Sequence, residues 1–182
     1  MALCDYLITQ DIAGYDCSNI PAKGAEQMGL LINRADIDAY TDSGFQRTMT
    51  LKCGGLKAYK VVQSGKQPWN GTQQEMVEGT NANTITNTVQ MVVLKQDEDW
   101  AEQLFALVNG DFVAVIPDKQ GNYQVYGSET GLHCSGAVRE LYNDDTLSGW
   151  QITFVEEGAV KGSLFTTSSN FDALQLTTTA CE

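Results

Sequence analysis

Residues 84–157 decide the fold: TITNTVQMVVLKQ (84–96), DEDWAEQLFALVN (97–109), DFVAVIP (111–117), NYQVYG (122–127) and SGWQITFVEE (148–157). The first run alternates. Ile85, Val89, Met91 and Val93 share one side, and Thr84, Thr86, Thr88 and Gln90 share the other. That is a strand with one buried face and threonines on an open pleat. The second run has helical spacing: Trp100, Leu104, Leu107 and Val108 form one stripe. Asp97 suits the N-cap, Glu98 and Asp99 suit the positive end of the helix dipole, and Gly110 suits the stop. FVAVI is apolar on both faces, which predicts a central strand, and PDKQGN reads as a hairpin turn leading to YQVYG. Trp150, Ile152 and Phe154 then share a face, with Gln151, Thr153 and Val155 opposite. The stretch predicts a mainly β fold with one α-helix at about 97–109 packed on the sheet.

Upstream, residues 1–24 are irregular and rich in turn formers, and predict an N-terminal arm that needs a surface to lie on. Met28, Leu30 and Ile32 alternate with Gly29, Leu31 and Asn33, which predicts a strand; Gly29 disfavours a helix. Thr41-Asp42-Ser43-Gly44 is a turn signal. FQRTMTLKC and LKAYKVVQ read as two strands joined at Cys53-Gly54-Gly55 by a tight hairpin, because paired glycines supply positive φ angles. Residues 64–83 are polar and read as a long loop, the candidate assembly element of a domain spanning 25–160. Its Trp69 either docks on a neighbour or caps its own core. Excising 66–82 is expected to leave the fold intact and abolish assembly. Residues 161–182 read as one more strand, KGSLFTTSS, and a Thr-rich tail that is disordered or paired with a neighbour's sheet edge.

The chain has 182 residues, a 42% hydrophobic fraction, 17 Gly and three Pro, enough for a real core in one turn-rich domain. Eleven basic against 23 acidic residues give a formal charge of −12, which opposes gripping nucleic acid or anionic lipid. Cys4, Cys17, Cys53, Cys134 and Cys181 are widely spaced with no CxxC, and no secretory leader is recognisable at the N-terminus. Reduced, cytosolic thiols are therefore expected. No run approaches the roughly 18 apolar residues of a membrane span.

No motif for bond chemistry stands out. Gly65-Lys66 lacks the rest of a phosphate loop. In Gly127-Ser128-Glu129-Thr130-Gly131 the Ser is misplaced for a nucleophile elbow. His133, the one histidine, neighbours Cys134, and adjacent strand residues face opposite ways. Asp97-Glu98-Asp99 diverge at a helix start, and Asp144-Asp145 sit in a turn. No catalytic residue, cofactor or metal ligand is expected, and an enzyme is the less favoured class. A soluble β-barrel binding a small ligand with Trp150, Phe154 and Tyr123 is one alternative, and a small carboxylate hydrolase another.

The aromatic strand ending at Tyr126-Gly127, then Gly131-Leu132, an Asp-rich turn and Gly149-Trp150-Gln151-Ile152-Thr153-Phe154 with acidic residues after it, form a pattern over roughly 84–160. It resembles the C-terminal half of bacteriophage virion structural proteins of the tail-tube kind, such as those in phages of gut Bacteroidetes, including crAss-like phages. The resemblance is one of pattern, without a diagnostic motif. It implies an antiparallel β-sandwich or barrel, a location in the virion tail after synthesis in the host cytoplasm, and self-assembly into a ring or tube. The implied partners are copies of the chain, other tail or connector proteins and DNA passing through the lumen without specific binding, with no membrane. The expected interface residues are Tyr15 and Ile20 in the arm and Trp69, Met76 and Val77 in the loop.

Overall fold

The computed structural model describes residues 24–63, 68–79, 82–93, 98–140, 149–162 and 164–178. In chain order these form β1 (Met28–Asn33), β2 (Ile37–Ser43), β3 (Gln46–Leu51), β4 (Tyr59–Val62), β5 (Gln73–Val77), β6 (Thr84–Val93) and α1 (Glu98–Asn109). There follow β7 (Asp111–Pro117), β8 (Tyr123–Tyr126), β9 (Leu132–Glu140), β10 (Gly149–Ala159), β11 (Leu164–Thr166) and α2 (Ser168–Leu174). The strands join in one large mixed sheet, ordered β2-β3-β11-β8-β7-β9-β10-β6-β5, with β4 attached through β1, which pairs with β7. The chain is mainly β, as its sequence predicts.

β7 is the hub, and its composition is the cause. Its first residues pair with β9 (Asp111 with His133, Phe112 with Leu132), and its second half forms the expected hairpin with β8. Its other edge carries β1, from Leu30↔Val115 to Asn33↔Phe112. A strand with partners on both edges and cover on both faces feeds two cores by simple alternation. Val113 and Val115, with Leu30 and Ile32 of β1, enter one core beside Met49, Val125, Leu164 and the α2 residues Phe171 and Leu174. Phe112, Ala114 and Ile116, with Leu31 of β1, enter the other beside Val89, Met91, Leu132, Ile152 and Phe154. Each such fully buried aliphatic side chain contributes about 1.5–3 kcal/mol.

Helix α1 forms as the apolar stripe predicts, with Trp100, Leu104 and Leu107 partly buried on the second core. Val108 is a correction: it is 41% exposed, just past the edge of the contact stripe. The expected cap Asp97 and turn 143–145 lie outside the described residues.

Four other expectations differ from the structure. β3 and β4 form no hairpin: β3 pairs with β2 and β11, and β4 with β1. Gly54 and Gly55 do have positive φ, but residues 56–58 leave to pair with the C-terminal segment, Ala58 N–H donating to Leu174 O and Thr178 N–H to Leu56 O. Residues 64–83 are not one loop: β5 pairs with β6 from Gln73↔Thr88 to Val77↔Thr84. The segment after 160 is integral to the fold, because β11 bridges β3 and β8 and α2 closes the first core. α2 went unforeseen although its signal is present: Thr167 caps it, accepting from Asn170 N–H, and Phe171 and Leu174 stand three apart. Finally, Cys53 is disulfide-bonded to a partner outside the described residues, against the expectation of reduced thiols, while Cys134 is free.

Candidate assembly surface

Trp69 sits in the chain's own second core, 5% exposed, and its indole N–H donates to Glu26 O at 3.1 Å. Its ring lies where a Cβ on Gly29 would be, 2.6 Å from Cζ2, which is why β1 carries glycine there. Trp69 holds φ +60, so its backbone strain is matched by core burial. Of its two readings the capping one holds: the ring has no surface left for a neighbour, and excising 66–82 would remove a core residue.

Met76 and Val77, by contrast, are 70% and 43% exposed. They lie on β5, the last strand in the sheet order, whose second edge is unpaired among the described residues. Met76 pairs with Ile85, Ile85 pairs with Ala159, and the next residue, Val160, is 78% exposed. One end of the sheet thus presents apolar side chains beside an open ladder. The opposite pleat is polar: Gln73 faces Thr88, Glu75 faces Thr86, and Gln90 Nε2 donates to Thr153 Oγ1 at 3.3 Å. Tyr15 and Ile20 lie outside the described residues.

Two buried polar centres hold this scaffold. Glu156 is 1% exposed and accepts from Asn87 Nδ2 (2.6 Å), Gly127 N–H (2.7 Å), Glu129 N–H (3.0 Å) and Thr130 N–H (3.0 Å). The segment resembling a nucleophile elbow is therefore the β8–β9 corner wrapped on a carboxylate. Gly127 and Gly131, at φ +82 and +97, make the bend. The second centre is Arg47, 8% exposed, which grips Asp42 through two 2.7 Å hydrogen bonds and donates to Ser128 Oγ at 2.9 Å. Lys161 Nζ adds a 2.6 Å contact to Asp42. Hydrogen bonds from Arg47, then from Lys161, hold the Asp42 carboxyl well below the usual carboxylate range. Burial pushes the Tyr126 hydroxyl up to about 12.

His133 is exposed, whereas Cys134 packs toward the second core, as alternation requires. Phe154 and Tyr123 belong to different cores, so with Trp150 they do not line a common pocket. Among the described residues no group of three or more His, Cys, Asp or Glu is placed to hold a metal, and no helix is long and apolar enough to cross a membrane. No protein-family model, curated protein or solved structure matches the chain.

Proposed function

We propose that this chain is a non-enzymatic structural protein that assembles with its own copies into a ring or tube, serving in a phage tail as a conduit wall for DNA. The observation that carries the reading is β5, an edge strand with an unpaired outer ladder and exposed Met76 and Val77. Such an edge invites pairing with another chain, and an open apolar edge on a free monomer favours aggregation. Pairing a β5 edge with a different edge of the next copy is a heterologous contact, which closes into a ring or extends as a filament. The polar pleat of β6 supports the conduit role: its threonines and Gln90 suit a wet lumen, and the charge of −12 disfavours DNA sticking to the wall. The tail-tube pattern over 84–160 and the sandwich or barrel closure it implies belong to the same reading.

The test is mass in solution, followed by negative-stain imaging, for the natural chain and for M76K/V77K. Rings or tubes are expected from the first and folded monomers from the second. A natural chain that stays monomeric at high concentration overturns the proposal.

A further inference from the structure

A cavity of about 700 Å³ opens between β4, the C-terminal end of β6 and α1. Its size falls in the range of small-molecule sites. Leu31, Val61, Met91, Leu107 and Phe112 give it apolar walls, and Gln63 is the polar exception. Gln63 is 3% exposed. Its Oε1 accepts the Val92 N–H at 2.7 Å, at a point where the β5–β6 ladder has already ended at Thr88. That contact fixes the carboxamide, since the reversed amide would set donor against donor. The Nε2 is left without a hydrogen-bond partner among the described residues. A buried donor without an acceptor is costly and uncommon, so it needs an explanation.

We infer that this cavity is a binding site for an uncharged, apolar small molecule bearing a carbonyl oxygen, which accepts from Gln63 Nε2. The apolar walls select the body of the ligand. The acceptor is uncharged because a buried carboxylate requires a cation. Lys60, the nearest basic residue in sequence, has the opposite parity on β4 and leaves on the other face. The assignment is independent of how copies of the chain assemble.

The probe is 6-propionyl-2-(dimethylamino)naphthalene, an apolar aromatic ketone whose emission reports its surroundings, compared with the 6-propyl analogue lacking the carbonyl. The natural full-length chain is expected to bind the ketone about tenfold more tightly than the analogue, the effect of one buried hydrogen bond. In Gln63→Leu that preference disappears. Ala106→Trp, at an exposed α1 position on the cavity wall, weakens both ligands at least tenfold while circular dichroism is unchanged. Equal binding of the two probes by the natural chain means that solvent satisfies the donor, and overturns the inference. So does undiminished binding by Ala106→Trp. Probe release that tracks a doubling of mass at higher protein concentration would assign the cavity to a second copy and overturn it as well.

Discussion

Glu156 offers the sharpest test of how the sheet is held together. Its carboxylate is 1% exposed and receives four donors, three of them backbone N–H groups of the β8–β9 corner. Glu156→Leu leaves all four without an acceptor. Each orphaned buried donor costs about 1–3 kcal/mol, and after partial relaxation the loss should reach about 3–5 kcal/mol. That is a large share of the roughly 5–15 kcal/mol stability of an ordinary domain. Glu156→Gln should be milder. One amide oxygen can keep Glu129 and Thr130, and Asn87, whose Oδ1 has no partner, can flip to accept from the new amide group. Only Gly127 N–H is then stranded, for about 1–3 kcal/mol. Urea denaturation at low protein concentration measures both, as midpoint shifts at unchanged slope. Amide exchange at Gly127, Glu129 and Thr130 should accelerate in Glu156→Leu. A Glu156→Leu chain within about 1 kcal/mol of the natural protein would refute the claim that this carboxylate organises the corner.

Trp69→Ala should cost about 3–5 kcal/mol in the same assay, as loss of a core aromatic does. Gly29→Ala forces a Cβ onto the Trp69 ring and should cost about 1–3 kcal/mol, most of it relieved in the double variant, because the two residues share one clash. Thr167→Ala removes the α2 cap and should lower stability by about 1 kcal/mol. Asp42 has a depressed folded pKa, so its contribution is present above the unfolded value of about 3.9 and lost as pH falls toward the folded one. Asp42→Asn should therefore destabilise the chain at pH 7, with the difference narrowing below about pH 4; a difference independent of pH would contradict the Arg47–Asp42–Lys161 arrangement.

By itself the sequence determined the elements whose pattern is local. Two-sided apolarity in residues 112–116 marked β7 as central, alternation marked β6 and β10, and helical spacing marked α1, because burial geometry is written into side-chain period. Only the tertiary structure decided which strands meet. Gly54-Gly55 carries the positive φ of a hairpin, yet β3 and β4 part, because residues 56–58 find partners more than a hundred positions away. Trp69 looked equally suited to a neighbour and to its own core; the bare Cα of Gly29, forty residues earlier, settled it. The polar centres were illegible for the same reason. Nothing near Glu156 or Arg47 in the chain announces Asn87, Gly127 or Ser128 as partners, and a buried charge is tolerable only once such distant donors and acceptors converge.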